Sequence, residues 1–354
     1  MKKIRMGIIG TGGISAVHMW GTKNSPDAEL VAFCDINEKT LKAKADQFEI
    51  PEKYRFNNHI DLLECPDIDA VSISTPNNCH YQIAMDAVRH GKPFCLEKPV
   101  TITYEEAKTL NWAARDAGVP NMVCFSYRFK AAARFMKSII ESGQLGKIYH
   151  IYGQYLQSYM LNPSVPLVWR LRKEIAGSGV HGDLGCHLMD LVRFMTSKEY
   201  VKICAHADTF IKQRKMLDSD EYGEVDVDDF CHILIGMEDG ISGTLCTSRY
   251  AYARGNYQRI EIYGDKGTLE YNLEDEDSIE VCMGEAYREA KTFVKLPVPQ
   301  RFKVDQMQSF FDIINGKGDG LAATMADGEI NQLAVCGVIE SFEKEKWIYL
   351  ENQQ

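Results

Sequence analysis

The apolar run Ile4–Ile9 leads without a break into Gly10-Thr11-Gly12-Gly13-Ile14-Ser15. A run of that kind reads as a buried strand, and a glycine turn that opens a helix directly behind it commits the chain to a β-turn-α unit. Gly10 allows the tight turn. Gly12 lets the backbone approach a pyrophosphate, which the helix N-terminus that follows stabilises. Thr11, Gly13 and Ile14 complete the candidate loop. Ser15 stands where the third glycine of G-x-G-x-x-G is expected, and the small Ser15 and Ala16 still let helix and strand pack closely. A lone G-x-G also fits a plain strand–helix turn, so the case rests on its place in a βαβ unit.

That unit delivers Asp35 at the end of a second strand, Leu30–Cys34. A carboxylate there accepts hydrogen bonds from both adenosine ribose hydroxyls and repels a 2′-phosphate. The next residues, Ile36-Asn37-Glu38, offer no arginine to neutralise such a phosphate. NAD is therefore expected in preference to NADP. The competing reading of Asp35 is a helix N-cap. Further strands read at Ala70–Ser74, Phe94–Leu96 and Asn121–Phe125, with helices at Asn37–Phe48, Tyr81–Arg89 and Thr103–Ala117 between them. Strands alternating with helices imply a parallel sheet covered on both faces, and right-handed crossovers make it doubly wound. Thr75, Pro76, Asn77 and His80 follow the third of these strands, and Glu97 and Lys98 follow the fourth. All fall on the carboxyl edge, where ligands of such sheets bind. They are candidates for cofactor contact, although Thr75 and Asn77 are equally good turn-makers.

Beyond Phe125 the pattern changes. A helix reads at Arg134–Ser142 and another at Asp183–Met195. Strands then succeed one another from Ala205 to Cys282, with Gly-containing turns such as Asp239-Gly240 and Gly264-Asp265-Lys266-Gly267. Asp-Gly between apolar runs is a hairpin signal. Two helices, Val304–Asn315 and Ala326–Glu345, end the chain. The expectation is an α/β Rossmann domain over residues 1–124. An α+β domain with a large, mainly antiparallel open sheet follows over 125–354, carrying substrate binding and oligomerisation.

Composition narrows the partners. The net charge of −10 leaves no basic footprint for nucleic acid. No apolar stretch is long enough to span a membrane, and the apolar run after Lys2-Lys3 is too short for a signal peptide. The 11 cysteines are scattered without a C-x-x-C pair, which argues against a disulfide framework or zinc ribbon and for buried thiols in a cytoplasmic protein.

The segment Gly177-Ser178-Gly179-Val180-His181-Gly182-Asp183-Leu184-Gly185-Cys186-His187-Leu188-Met189-Asp190 adds chemistry to the nucleotide loop. Asp183 and His187 are spaced to share one helix face. With Gly-x-Gly, Glu97-Lys98-Pro99, Tyr127-Arg128-Phe129, Trp169-Arg170 and Gly264-Asp265-Lys266-Gly267 in order, the chain resembles the Gfo/Idh/MocA oxidoreductase family along nearly its whole length. It departs by carrying Ser178 for the middle glycine and His181 for an aliphatic residue.

The resemblance implies a catalytic set of Lys98, Asp183 and His187, with Trp169 and Arg170 near the cofactor. It implies hydride transfer between a nicotinamide and a secondary alcohol of a sugar, glycoside or cyclitol. His187 suits the base role because its ordinary pKa lies near working pH. Lys98 can hydrogen-bond a developing alkoxide, and Asp183 can orient His187 or grip a neighbouring hydroxyl. Two alternatives stay open: an NAD-dependent glycoside hydrolase of the same architecture, and a non-catalytic NAD-binding regulator. No metal is expected at His181, Asp183 and His187, because positions 181 and 183 diverge on a forming helix. Tyr155, Tyr159, Trp169 and Arg172 are candidate sugar-pocket residues. His181 reads as substrate-facing or as a packed ring, the latter preferred. A homodimer or homotetramer is expected, joined through the open sheet face.

Overall fold

Strand β1 (Ile4–Ile9) and helix α1 (Ser15–Asn24) begin the chain. They are followed by β2 (Ala28–Cys34), α2 (Glu38–Gln47), β3 (Arg55–Phe56) and α3 (His59–Glu64). Next come β4 (Ala70–Ile73), α4 (Asn77–Arg89), β5 (Phe94–Leu96), α5 (Tyr104–Asp116) and β6 (Asn121–Val123). The computed structural model describes residues 2–350. The strands form one parallel sheet in the order β3-β2-β1-β4-β5-β6. Strand order reverses between β1 and β4, and ligands of open α/β sheets bind at that switch point, beyond the carboxyl ends of the strands. Gly10 and Ser74 sit there. All four residues of β4 are buried, as a strand covered on both faces requires.

Local chemistry sets the helix starts. Asn37 caps α2 by accepting from the Thr40 N–H, and Thr103 and Glu106 form a reciprocal capping box on α5. Helix α4 starts at Asn77, a turn earlier than its apolar pattern indicates, with Pro76 in extended conformation before it. The short β3 and α3 carry no clear pattern in the sequence.

The first unit takes in Met1–Phe125 and also Val304–Ile330. Sequence alone leaves that return segment with the second half. Its packing explains the difference: the space beside Gly21 is filled by Met307, so that a Cβ at Gly21 would lie 2.6 Å from the methionine Cγ. Gln308 accepts from the Ser25 hydroxyl and donates to Asp27, and the Val123 N–H donates to Ala323 O at 2.8 Å.

The second unit comprises Ser126–Lys303 and Asn331–Gln354. It contains α6 (Ala131–Glu141), β7 (Ile148–Leu156), α7 (Lys173–Ala176), α8 (Cys186–Thr196), β8 (Tyr200–Asp208), β9 (Gln213–Lys215) and β10 (Tyr222–Glu224). Then follow β11 (Phe230–Met237), β12 (Ser242–Ser248), β13 (Tyr257–Gly264), β14 (Gly267–Asn272), β15 (Ser278–Met283), α9 (Glu285–Ala290) and β16 (Val294–Pro297). Helix α10 (Gln306–Ile314) belongs to the first unit, α11 (Met325–Lys344) contributes to both, and β17 (Ile348–Tyr349) closes the series.

The large sheet runs β16-β15-β14-β13-β7-β12-β11-β8-β17. All its pairs are antiparallel except β7 with β12. The expected hairpins at Asp239-Gly240 and at 264–267 are both present. Strand β7, at the middle of the sheet, carries no clear strand pattern in the sequence. One face of the sheet carries the core: Ile151, Ile233, Leu245 and Ile260 are buried, and Leu188 of α8 reaches down over Gly153. The opposite face exposes Tyr152 and Leu234.

Candidate functional site

At the switch point the structure builds a cradle. Gly10 has φ +86°, and a Cβ there would strike Ser74 O at 2.7 Å, so only glycine lets β1 turn so close to β4. Around Gly12 and Gly13 a Cβ would meet nothing within 4 Å, leaving open space over the turn at the start of α1. Asp35 Oδ2 accepts from both the N–H and the hydroxyl of Thr11, each at 2.8 Å, and Oδ1 accepts from the Asn37 N–H. The α2 cap is Asn37, so the N-cap reading of Asp35 falls. Its carboxylate is held at the tip of β2 beside Ile36, which is 92% exposed. Ile14 is also exposed, and Ser15 bonds back to Gly12 O at 2.6 Å.

Thr75 and Pro76 form the turn into α4, and Asn77 is its first residue. His80 is fully buried, with Nδ1 2.8 Å from Pro99 O and Nε2 3.0 Å from Thr75 O. Both ring nitrogens face main-chain carbonyls, so His80 ties the turn after β4 to the turn after β5. Burial lowers its pKa against the pull of those carbonyls. Glu97 is also turned inward: Oε1 accepts from His18 Nε2 at 2.9 Å and Oε2 from the Lys98 N–H at 3.2 Å. Lys98 is half-buried at the start of the next loop. His18 is the residue that sequence reasoning missed here; its only signal is its place one turn past the glycine loop.

In the second unit, residues 181–185 form one π turn leading into α8. Such turns recur at functional sites. The loop before it is pinned by Asp228, whose oxygens accept from the Gly179 N–H at 2.6 Å and the His181 N–H at 2.7 Å. A Cβ at Gly179 would lie 1.9 Å from Asp228 O, which explains the glycine. His181 is a buried ring packed on Gly185; burial pulls its pKa down to about 4, against Asp228 and the Val335 backbone. Asp228 lies outside any motif read from the sequence.

Asp183 Oδ2 accepts from the Tyr159 hydroxyl at 2.6 Å. Burial and the Asp183 charge push the Tyr159 pKa up. His187, nearly buried, meets the rings of Tyr127 (4.8 Å) and Tyr155 (6.4 Å). The Tyr127 hydroxyl donates to that of Tyr155 at 2.6 Å, and Asn256 Oδ1 accepts from Tyr155 at 2.7 Å and from Gln157 Nε2 at 2.8 Å. Asn256 and Gln157 carried no sequence signal. Beneath them Arg128 grips Asp190 through two bonds of 2.8 and 2.6 Å, joining two motif residues in the core. Trp169 and Arg170 are half-buried, with the guanidinium 4.3 Å from the indole centroid. Arg172 is exposed.

A glycine cradle at the switch point of a parallel sheet, followed by a large mixed sheet bearing a second polar cluster, is the arrangement of a two-unit dinucleotide-binding protein. The model of an oxidoreductase family with an NAD-binding Rossmann fold matches residues 4–125, and that of the GFO/IDH/MocA C-terminal domain matches residues 133–270. The chain belongs to the GFO/IDH/MocA family. It is 28% identical to levoglucosan dehydrogenase of Pseudarthrobacter phenanthrenivorans over 98% of each chain. It is 27% identical to inositol 2-dehydrogenase of Rhizobium meliloti over 94% of this chain and 97% of that one. A solved levoglucosan dehydrogenase in complex with NADH and levoglucosan superposes with a TM-score of 0.90, at 28% identity and over 99% of this chain and 100% of that one. Among the described residues no helix is long and apolar enough to cross a membrane.

Proposed function

We propose that this oxidoreductase oxidises a secondary hydroxyl of a sugar or cyclitol, with NAD preferred over NADP. The observation that carries the reading is the cluster around His187: two tyrosine rings, their hydroxyls, an asparagine and a glutamine, with the Tyr159–Asp183 pair on the same unit. Polar groups set among aromatic rings suit a ring compound with many hydroxyls. The similarity to levoglucosan and inositol dehydrogenases points the same way.

The nucleotide loop fits a dinucleotide. Gly10, Thr11, Gly12, Gly13 and Ile14 would face the pyrophosphate, and Asp35 the adenosine ribose; Thr75, Pro76, Asn77, Lys98, Trp169 and Arg170 are the further proposed contacts. Bound NAD supplies the hydride acceptor. In this reading His187 or Lys98 takes the hydroxyl proton, and the other holds the alkoxide oxygen. Asp183, steadied by Tyr159, grips a neighbouring hydroxyl. His80 and Glu97, both turned inward, act through the backbone they hold. The exposed face of the large sheet, with Tyr152 and Leu234, supports a homo-oligomer.

A panel of cyclitols, anhydrosugars and aldoses with NAD and with NADP, followed by reduced-nicotinamide absorbance, tests the reading. Reduction of NAD by a panel member is expected. No reduction by any member, or glycosidic cleavage without net reduction, overturns it.

A further inference from the structure

The first unit contains a second constellation that hydride transfer does not use. His18 of α1, Cys95 of β5 and Cys124 just past β6 are all buried. One ring nitrogen of His18 and both Sγ atoms lie within 4.8 Å of one another. The topology explains the meeting. Cys95 pairs in register with Met122, and the Cys124 N–H bonds Leu96 O, so both thiols project from the same face of neighbouring strands.

The orientation of His18 follows from its hydrogen bonds. Nε2 donates to Glu97 Oε1 at 2.9 Å. Nδ1 lies 3.0 Å from the Ser72 hydroxyl, and Ser72 is the register partner of Cys95. Nδ1 therefore faces the thiol side of the ring. Histidines that bind metals usually donate their other N–H to a carboxylate, which fixes the tautomer and raises the basicity of the ligand nitrogen. That arrangement is already in place here.

We propose that His18, Cys95 and Cys124 form a binding site for a thiophilic divalent cation, zinc above all, with Glu97 as the carboxylate behind the histidine. Two thiolates neutralise the dication, so the buried complex carries no net charge from these groups. Binding releases two protons to solvent, and the Ser72 hydroxyl gives up Nδ1. Zinc–sulfur bonds of about 2.3 Å in a tetrahedron place two sulfurs about 3.8 Å apart, so closing the cluster takes a movement of at most about 1 Å. A fourth position is left for water or the Ser72 oxygen. The occupied site would clamp α1 to the sheet through β5 and β6. This inference is independent of the substrate and of the dehydrogenase reading.

The test uses the full chain, reduced and stripped with a chelator, then titrated with Co²⁺ as a spectroscopic probe and with Zn²⁺. One equivalent of cobalt should give tetrahedral ligand-field bands and a thiolate charge-transfer band, both abolished by zinc. Zinc-edge X-ray absorption on the wild-type chain should show two sulfur neighbours at about 2.3 Å beside lighter atoms. Cys95→Ser and Cys124→Ser should each weaken binding by more than about 100-fold and Glu97→Gln by about 10–100-fold, the usual effect of removing a carboxylate behind a ligand. Cys246→Ser, in the second unit, should change nothing. Should a core variant fail to fold, the wild-type absorption edge still decides. Absence of stoichiometric binding, a shell of nitrogen and oxygen alone, or full affinity in a folded Cys95→Ser chain overturns the proposal.

Discussion

The Tyr159 hydroxyl donates a 2.6 Å hydrogen bond to Oδ2 of Asp183. The bond fixes a carboxylate that stands in a π turn, where α-helical spacing no longer dictates its direction. Replacing Tyr159 by Phe should remove one of the bonds that orient Asp183. A hydrogen bond to a charged group is worth about 1.5–3 kcal/mol, so kcat/KM should fall by roughly 10–100-fold. Steady-state kinetics with NAD affinity measured alongside checks this. Unchanged kcat/KM would remove Tyr159 from the site.

Lys98→Met and His187→Ala should each lower kcat by about 10²–10⁴-fold, the usual range for proton transfer. NAD affinity should hold in His187→Ala and fall far less than kcat in Lys98→Met, a proposed cofactor contact, because the proposed pyrophosphate and ribose contacts lie at Gly10–Gly12 and Asp35. The double variant should be little worse than the weaker single one. Near-normal kcat in either single variant would strike that residue from the mechanism.

Asp35→Ser should weaken NAD binding by about tenfold, or about 1.4 kcal/mol, and narrow or reverse the gap to NADP. Calorimetric titration of both nucleotides reads it out. An unaltered ratio would show that selectivity lies elsewhere.

His181 gives a pH signature. Its pKa is about 4 in the folded chain, against about 6.5 when exposed. The unfolded chain therefore binds the extra proton first. Stability from the neutral ring is complete above pH ~6.5 and is lost as the pH falls toward 4, by about 3 kcal/mol in all. Denaturant unfolding from pH 4 to 8 should show a flatter acid limb for His181→Gln than for wild type. Parallel limbs would contradict this.

The exposed sheet face should hold copies of the chain together. Light scattering should report a multiple of the 40.1 kDa chain mass, and Leu234→Glu, which puts a charge on that face, should shift it toward one chain. A wild-type monomer at micromolar concentration would refute the assembly.

What the sequence shows and hides follows the range of the interactions. Strand β1, the glycine turn and the Asn37 cap are set by neighbours in the chain, and they read directly. So do the hairpins whose turns carry Asp-Gly or Gly-Asp-Lys-Gly. Strand β7 does not read, because its outer face carries His150, Tyr152 and Gln154 and its apolar face is broken by Gly153. The return of Val304–Ile330 is set by contacts with Gly21 and Ser25, far away in the chain. Arg128 and Asp190 were visible as separate motif letters, but only the fold makes them partners. The same holds for His18, Cys95 and Cys124.

The central place of β7 has a price in time. It leaves the ribosome well before β12 and β13, the two strands that flank it. Until they arrive, both its edges offer unpaired N–H and C=O groups to any passing strand. Pairing over such long separations closes slowly. The nascent chain therefore passes through an interval in which its future centre is its stickiest part, and slowed translation between residues 157 and 241 would lengthen that interval and raise aggregation.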